Sequence, residues 1–455
     1  MTLVGRSGNG SVHAVQRAGV RSSTDNGLVS IASPAGTASR PPVRELATDV
    51  LVVGAGPSGS AAAAWCARGG LDVILADAAE FPRDKACGDG LTPRAIDELH
   101  KLGLSTWLSE QQGNRGLRAA GFSQELYLPW PGGSLPDHGA AVSRMVLDAA
   151  IRDVALVAGA QALSGYRALD AQHDGRRVTG VTFRGAEGPV TVRCDRLVVA
   201  DGARSQLGRV LGRQWHRSTA YGVAIRAYVS SARSDDSWIS SHLELRGLTG
   251  DLLSGYGWIF PLGSGRVNIG VGTLATARRP AELNLRDLLD QYAAGQQGAW
   301  ELDGPLEAPA SALLPMGGAV SGVSGANWML IGDAAGCVNP LNGEGIDYGL
   351  ETGHLAADLL VQQSSPADLA AVWPNLLRAR YGSAFSVARR LAALLTVPGL
   401  LSTLGPIGMR SHGLMTVALR VMGNLVTEED RDLTAWAWRR AGRISMGVDR
   451  RPPFT

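Results

Sequence analysis

The pattern of apolar and polar residues first indicates a strand, a tight turn and a helix between residues 49 and 64. The apolar run 49–53 predicts a buried strand, and the alanine run 61–64 predicts a helix that packs closely on it. Three glycines in the spacing Gly-x-Gly-x-x-Gly lie between the two, at Gly54, Gly56 and Gly59. A second apolar run, 71–76, predicts a strand that ends at Asp77. This order is typical of a dinucleotide-binding fold, and an acid at the end of the second strand favours FAD or NAD over NADP.

Two later apolar runs, 197–200 and 328–331, end in turns that contain glycine and aspartate. Carboxylates at the carboxyl ends of parallel strands lie where a cofactor binds, so Asp333 is predicted to accept hydrogen bonds from the ribityl hydroxyls of a flavin. A helix is predicted at 346–362, directly after a glycine-rich loop. Its first amides would face the flavin ring and stabilise negative charge there.

Between residues 211 and 310 the pattern changes to short strands around glycine and serine turns. These strands are predicted at 221–229, 242–246 and 267–271. Tyr256 and Trp258 lie two residues apart on a further predicted strand, and therefore on one face of it. An aromatic face eases positive charge on a neighbouring carbon, and a tyrosine hydroxyl can donate a proton. Both are candidate catalytic residues, and ordinary core packing is the alternative for Trp258.

The segment from Leu391 to Met409 contains no charged residue. Pro398 and Gly399 interrupt it, so the sequence predicts two short helical arms rather than one membrane-spanning helix. Such an apolar hairpin either packs on the body of the protein or dips into one leaflet of a membrane. Both uses remain open at the level of the sequence.

Farther along, Thr427 and the acids 428–430 predict the start of a helix. Trp436 and Trp438 follow, beside the arginines of 439–443. Tryptophan next to arginine is typical of a membrane interface, and coverage of the protein core is the alternative for both indoles.

Composition narrows the classes of function. The 43 basic and 41 acidic residues give a net charge of +2, which argues against a nucleic-acid partner. The 4 cysteines are widely spaced, so neither a metal site nor a disulfide framework is expected, and a reducing cytoplasm is the expected compartment. Residues 1–46 lack aromatic residues and a secretory apolar stretch, and they are predicted to form a disordered tail.

Three longer motifs resemble a known family: FPRDKACGDGL at 81–91, GYGWIFP at 255–261 and GDAAGCVNPLNGEGIDYGLETG at 332–353. With them the chain resembles flavoproteins of the p-hydroxybenzoate hydroxylase type and, among these, the geranylgeranyl reductase family, in particular its mycobacterial-type menaquinone reductases. The resemblance extends over nearly all of residues 49–454.

The fold that this resemblance implies is of the α/β class, with mixed α and β parts. A Rossmann-like FAD-binding domain would be built from residues 47–210 and 311–365. A β-rich substrate domain would occupy residues 211–310. Helices would form a C-terminal cap over residues 366–455, with possible contact to a membrane.

The resemblance also implies the site residues. Contacts to FAD are implied around the glycine turn, in the 81–91 motif and before the helix at 346: Gly54, Gly56, Pro57, Ser58, Gly59, Cys87, Gly88, Asp89, Arg144, Asp333, Gly345 and Ile346. Asp77 is implied as the acid that binds the ribose. Cys87 is in addition a candidate catalytic thiol, with a small inert thiol as the alternative. Ala86 stands where relatives often have proline, which affects the rigidity of the loop rather than its chemistry.

The implied activity is FAD-dependent reduction of a carbon–carbon double bond in a polyprenyl chain, most closely one isoprene unit of the menaquinone tail. The protein would work in the cytoplasm, peripherally associated with the cell membrane. Only one dinucleotide fingerprint occurs, so NAD(P)H or another carrier would deliver electrons from outside.

Three alternatives remain. Geranylgeranyl lipids or chlorophyll precursors are neighbouring substrates. A flavin halogenase or monooxygenase shares the fold, although Tyr256 and Phe260 replace two residues of the halogenase motif. A prenyl-binding escort protein needs no flavin, whereas the segment from Asp333 to Ile346 has the features of a flavin site.

Overall fold

The computed structural model describes residues 44–362 and 368–455. The strands of this part are β1 (Arg44–Val53), β2 (Val73–Asp77), β3 (Gly90–Leu91), β4 (Gln112–Asn114), β5 (Gly116–Gly121), β6 (Gln124–Pro129), β7 (Gly139–Ala141), β8 (Gln161–Ser164), β9 (Arg167–Asp174), β10 (Arg177–Gly185), β11 (Gly188–Val199), β12 (Gln214–Trp215), β13 (Tyr221–Ser231), β14 (Ile239–His242), β15 (Gly255–Pro261), β16 (Arg266–Ala275), β17 (Leu302–Leu314), β18 (Val320–Ser321) and β19 (Trp328–Leu330).

The α-helices are α1 (Pro57–Arg68), α2 (Pro93–Lys101), α3 (Ser105–Ser109), α4 (Arg144–Val157), α5 (Gln206–Val210), α6 (Leu285–Trp300), α7 (Ile346–Gln362), α8 (Leu369–Leu377), α9 (Ser383–Leu395), α10 (Leu400–Met409), α11 (His412–Met422) and α12 (Leu433–Gly447). A short 3-10 helix spans Gly332–Ala335, and one turn of π-helix at Arg378–Gly382 joins α8 to α9. The predicted α/β class with mixed parts is confirmed.

The first sheet has the strand order β8-β2-β1-β11-β10-β9, with β19 beside β11. The strands β8, β2, β1, β11 and β19 run parallel, whereas β10 and β9 are added antiparallel. The predicted strands at 49–53, 71–76, 197–200 and 328–331 all lie in it. The alanines 61–64 of α1 are fully buried, which lets this helix approach the sheet closely.

The second sheet has the order β17-β13-β16-β15-β14-β5-β6 and is antiparallel except for the β14–β5 pair. Helix α6 covers one face with Leu288, Leu289 and Trp300, against the aliphatic side chains of β13, β15 and β16. The predicted strand at 242–246 is misplaced, because β14 ends at His242. Strands β5 and β6 come from outside residues 211–310, so the division into domains stays a prediction.

The C-terminal helices begin with α8 and α9. The predicted break in the apolar segment 391–409 is confirmed: α9 ends at Leu395, and α10 begins after Gly399, whose φ is +80°. No single described helix is long and apolar enough to cross a membrane; the pair 369–395 and 400–409 passes the same test only together, with a bend of 110°. The predicted helix start at Thr427 is wrong, because Asp432 caps α12 by accepting from the amide of Ala435.

The predicted disordered tail, residues 1–46, extends too far toward the C-terminus. Arg44, Glu45 and Leu46 belong to β1 and pair with β11 at Val190–Val192, since an extended edge of the sheet is available there. Residues 1–43 of the prediction lie outside the described residues.

Candidate functional site

The glycine turn joins β1 to α1 at the carboxyl edge of the first sheet. Gly54 has a φ of +105°, and a Cβ there would stand 2.3 Å from the carbonyl oxygen of Ala200. A Cβ on Gly59 would stand 1.8 Å from the carbonyl oxygen of Gly54. Only glycine fits at either position. These two glycines let α1 begin directly above the end of β1.

The second glycine of the turn faces two arginines. A Cβ on Gly56 would meet only the Nη2 atoms of Arg83, at 3.5 Å, and Arg144, at 3.9 Å. Pro57 is the first residue of α1, so the free amides of that helix point to the same place. Two guanidinium groups and a helix N-terminus form a site for a pyrophosphate.

Arg144 is held in place by a buried ion pair. It begins α4, and its Nε and Nη2 donate to the carboxylate of Asp148 at 2.6 and 2.8 Å. Asp148 also accepts from Nη1 of Arg83 at 2.9 Å. The sequence analysis missed Arg83 and Asp148; the spacing of four residues between Arg144 and Asp148 on a helix is the signal that would have found the second.

Asp77 lies at the end of β2, beside the glycine turn. Its Oδ2 accepts from the amide of Ala55 at 2.7 Å, and its Oδ1 accepts from the amide of Ala79 at 2.9 Å. The carboxylate is therefore fixed at the position where an acid binds a ribose in this type of fold.

Ser58 brings the two halves of the site together. A Cβ on Gly332 would stand 2.1 Å from its Oγ, and one on Gly349 would stand 2.6 Å from it. The start of α1 thus packs directly on the 3-10 helix and on the first turn of α7. The glycines at 332 and 349 allow this close approach.

Asp333 lies in the 3-10 helix at the end of β19. Its Oδ1 would be 3.0 Å from a Cβ on Gly345, and Ile346 begins α7 directly after it. Nζ of Lys85 lies 3.4 Å from Oδ2 of Asp333. The structure therefore brings Asp333, Gly345 and Ile346 together, as the sequence analysis expected.

The loop 81–91 crosses from the first sheet to the second. Cys87 is partly buried; burial raises the pKa of its thiol, and Arg144 opposes this rise. A Cβ on Gly88 would stand 3.3 Å from both Nε1 of Trp258 and Cε2 of Phe260. The loop therefore lies directly against the aromatic side chains of β15.

Asp89 is fully buried, with a φ of +64°. Its Oδ2 accepts from the hydroxyl of Tyr228 at 2.8 Å and from Nδ2 of Asn268 at 2.9 Å, and no described residue bonds to its Oδ1. Burial raises the pKa of Asp89 to about 6, although both hydrogen bonds lower it. The carboxylate thus contacts the second sheet, and the sequence analysis missed both of its partners there.

The same loop is anchored a second time by a buried arginine. Nη2 of Arg226, on β13, donates to both carboxylate oxygens of Asp84, at 2.5 and 2.6 Å, and to the carbonyl of Lys85 at 3.1 Å. Its Nη1 donates to the carbonyl of Ala308. Arg226 therefore ties the loop to two strands of the second sheet.

Tyr256, Trp258 and Phe260 form a continuous aromatic face on β15. Their ring centroids are 5.9 and 6.4 Å apart, which confirms that Tyr256 and Trp258 share one face. The Tyr256 hydroxyl donates to the carbonyl of Asn342, and burial raises the pKa of this hydroxyl. Trp258 is only 7% exposed, and its Nε1 donates to Oδ1 of Asn268 at 2.9 Å, so core packing accounts for most of its surface.

Two acids before and in α7 were missed by the sequence analysis. The Thr92 hydroxyl donates to Oε1 of Glu344 at 2.5 Å, and Nδ2 of Asn424 donates to Oδ2 of Asp347 at 2.9 Å. Burial raises the pKa of both carboxyls, and Asp347 raises the pKa of Glu344 further. Glu344 also contributes to the raised pKa of Tyr256, so the two groups are electrostatic neighbours.

These features together match the chemical groups of FAD. The glycine turn and two arginines suit its phosphates, and the carboxylates of Asp77 and Asp333 suit its sugar and ribityl hydroxyls. The N-terminus of α7 suits the flavin ring, because its amides stabilise negative charge.

Comparison with known proteins gives the same cofactor. Residues 47–254 match a family model described as an FAD binding domain. A menaquinone reductase of Mycobacterium tuberculosis is 61% identical over 408 residues, which cover 90% of this chain and 98% of that protein. Digeranylgeranylglycerophospholipid reductase 1 of Methanopyrus kandleri is 31% identical over 356 residues, which cover 76% and 90% of the two chains.

Among solved structures, a geranylgeranyl bacteriochlorophyll reductase-like protein of Thermoplasma acidophilum has a similar fold. It superposes with a TM-score of 0.69 over 88% of this chain and 96% of its own, at 22% identity. At this identity the likeness concerns the fold alone.

Proposed function

Since the chain belongs to the menaquinone reductase family of FAD-dependent, geranylgeranyl reductase-like flavoproteins, we propose that it saturates one carbon–carbon double bond in the polyprenyl tail of menaquinone. The observation that supports this best is the aromatic face of β15, which lies against the loop 81–91 beside the candidate flavin site. An isolated alkene has no polar group to bind, so an apolar, aromatic wall suits it.

FAD would be held by the glycine turn, Arg83, Arg144, Asp77 and Asp333, and when bound and reduced it supplies the hydride for the double bond. The protein must supply the rest. A proton has to reach the other carbon, water has to be excluded, and the alkene has to be held in place.

Tyr256 is the proposed proton donor. Its hydroxyl remains protonated at neutral pH because burial and the neighbouring Glu344 both raise its pKa. In the structure this hydroxyl donates to the carbonyl of Asn342, so the O–H must turn from that carbonyl to deliver its proton to the alkene carbon. Burial and the neighbouring Asp347 raise the pKa of Glu344 well above its ordinary value, which favours its protonated form beside Tyr256. Trp258 and Phe260 close the wall against water.

A single-turnover experiment tests this proposal. The purified holoenzyme is reduced with dithionite without oxygen and incubated with menaquinone, and the quinone is analysed by mass spectrometry. We expect a mass gain of two hydrogens in the isoprenoid tail, and none with oxidised enzyme. Bound flavin without saturation of menaquinone would contradict the proposal, and a parallel incubation with a geranylgeranyl lipid would show whether the neighbouring substrate is the true one.

We also propose that the C-terminal helices contact a membrane, from which so apolar a substrate would be drawn. Six large apolar side chains of α9, α10 and α11 are exposed: Leu391, Leu394, Leu404, Ile407, Leu414 and Val417. We call them the hairpin face. Gly405 and Met409 lie on the buried side of α10, with Gly405 against Phe122, so the hairpin rests on the protein with one side only.

Charge supports a lipid surface as the partner of the hairpin face. Residues 369–427 contain six arginines and no acidic residue. Arg390 and Arg410 flank the face, and neither forms an ion pair within the described part of the chain. Basic residues beside exposed apolar ones suit a bilayer with anionic headgroups. On α12, Trp436 is 54% exposed and fits such an interface, whereas Trp438 packs against buried residues.

Sedimentation with vesicles tests the membrane contact. We expect the holoenzyme to sediment with vesicles that contain phosphatidylglycerol and less with pure phosphatidylcholine. The double variant Leu404→Asp, Ile407→Asp should lose most of this binding, whereas Val157→Asp, at an 89% exposed valine of α4, should keep it. Equal sedimentation of the double variant and the control would exclude the hairpin face.

A further inference from the structure

A buried amide lies in the middle of the second sheet. Asn268 is on β16, between Val267 and Ile269, and is fully buried. Burial of an amide is costly unless its hydrogen-bonding groups find partners. An apolar residue would be the ordinary choice at this place, so the partners of Asn268 indicate what it does.

All the partners of Asn268 lie around the aromatic face and the loop 81–91. Its Oδ1 accepts from Nε1 of Trp258 at 2.9 Å. Its Nδ2 donates to the carbonyl of Cys87 and to Oδ2 of Asp89, each at 2.9 Å. One side chain thus bonds both to a tryptophan of the second sheet and to the loop on the flavin side.

The indole that Asn268 holds is confined on two sides. A Cβ on Gly270 would stand 2.1 Å from Cζ2 of Trp258, and one on Gly88 would stand 3.3 Å from Nε1. The ring therefore fills the space between the sheet and the loop. Any rotation of the indole would move the loop, because the same amide bonds to both.

We propose that Asn268 is a positioning residue, which fixes the loop Cys87–Asp89 and the Trp258 indole in one arrangement and thereby sets the distance between the flavin-side loop and the aromatic face. The expected effect of Asn268 on turnover rests on the proposed function. Its expected effect on the loop does not, because the accessibility of the loop can be measured without the reaction.

The thiol of Cys87 reports on the loop. It is the one partly exposed cysteine, since Cys66, Cys194 and Cys337 are buried. In the holoenzyme, Asn268→Ala should raise the rate at which a thiol reagent labels Cys87 by about fivefold or more, the factor expected when a buried hydrogen bond that resists local opening is lost. The site of labelling is identified by peptide mass spectrometry.

The chain offers a matched control. Asn114 is also buried and accepts from the indole of a buried tryptophan, Trp130, at 2.7 Å, and no described hydrogen bond joins its side chain to Cys87–Asp89. Asn114→Ala removes an indole–amide bond of the same kind and should leave the labelling of Cys87 unchanged. Equal labelling rates in the Asn268 and Asn114 variants would overturn the proposal.

Turnover gives the second measurement. We expect Asn268→Ala to lower kcat about tenfold, because the reacting groups would be misplaced. KM should change less than about twofold, because the polyprenyl tail would still bind. Faster labelling with wild-type kcat would refute the link to the reaction. If the wild-type protein itself fails to reduce menaquinone, the proposed function fails, and the labelling comparison still decides whether Asn268 fixes the loop.

Milder variants keep the test decisive if Asn268→Ala does not fold. Tyr228→Phe removes the hydrogen bond to Asp89 and keeps the ring, and Trp258→Phe removes the bond to Oδ1 of Asn268 together with part of the indole that packs on Gly88. Each should raise the labelling rate of Cys87 by a smaller factor than the alanine variant. No change in either would count against the proposal.

Discussion

Tyr256, the proposed proton donor, is half-buried on β15. Its hydroxyl donates to the carbonyl of Asn342, and burial raises its pKa, so it keeps its proton at neutral pH. An alkene gives no carbonyl oxygen on which charge can rest, so a well-placed proton matters more here than in the reduction of a conjugated double bond.

The first prediction concerns this hydroxyl. Tyr256→Phe keeps the ring and removes the donor, so we expect turnover to fall at least about tenfold, within the usual range for the loss of a general acid. The visible spectrum and the FAD content should stay as in the wild type. Tyr127→Phe, at a 45% exposed tyrosine of β6, serves as control. Unchanged turnover would remove Tyr256 from the mechanism.

The second prediction concerns Asp89. Because the folded state raises its pKa from 3.8 to about 6, its stabilising contribution is complete below pH 4 and is lost as pH rises through 6. Asp89→Asn keeps an oxygen for Tyr228 and Asn268 and removes the charge. Relative to wild type, the variant should gain about 1–3 kcal/mol in free energy of unfolding between pH 4 and pH 8.

Urea unfolding at both pH values measures this gain. Asp137→Asn supplies the reference, because the Asp137 side chain is 85% exposed and remains hydrated in both states. If the difference in free energy of unfolding between Asp89→Asn and wild type does not change with pH, burial does not disfavour the charged form of the Asp89 carboxylate.

At the scale of elements, local patterns were predictable and long-range contacts were not. The strands of the first sheet follow from apolar runs, and the break at Gly399 follows from a local pair of breakers. Asn268 and Asp89 are 179 residues apart in the chain, and nothing near either one indicates the other. The prediction of a helix start at Thr427 was wrong because the acids 428–430 lie close to another acid, Asp432. Either could begin a helix by sequence alone, and only the tertiary contacts select Asp432 as the cap.

The third prediction concerns the packing of β16 on β15. A Cβ at Gly270 would meet the Trp258 ring at 2.1 Å, whereas a Cβ at Gly272 would meet it at 3.5 Å, an ordinary contact. Gly270→Ala should therefore lower the free energy of unfolding by about 1–3 kcal/mol, the range for overpacking. Gly272→Ala, on the same face of the same strand, should change it by less than about 1 kcal/mol. Thermal or urea unfolding of both variants distinguishes them.

At the scale of the whole molecule, the candidate flavin site is assembled from distant parts of the chain. The glycine turn and the loop 81–91 follow the neighbouring strands β1 and β2, and the turn before α7 joins them through the pairing of β19 with β11. The sequence located each of these pieces through its glycines and acids. It did not reveal the anchors Arg83, Arg226 and Asn268, because their function depends on which strands become neighbours.

The fourth prediction follows from this assembly. On the proposed assignment FAD would contact all three pieces, so its binding should stabilise the whole fold rather than one part of it. With free FAD at a hundred times its Kd, the free energy of unfolding should rise by about 2.7 kcal/mol, and Tm should rise with it. Riboflavin, which lacks the phosphates and the adenosine ribose, should give a much smaller shift. Equal shifts with FAD and riboflavin would contradict the assignment of the glycine turn and Asp77.

The pairing of β19 with β11 also sets an order of events during synthesis. The ribosome completes β11 well before it reaches Trp328, an interval on the order of ten seconds. Throughout that interval the end of β11 at Leu197–Val199 lacks its neighbour on one side, and the nascent chain has only part of the candidate flavin site. The cofactor site is therefore completed late in synthesis.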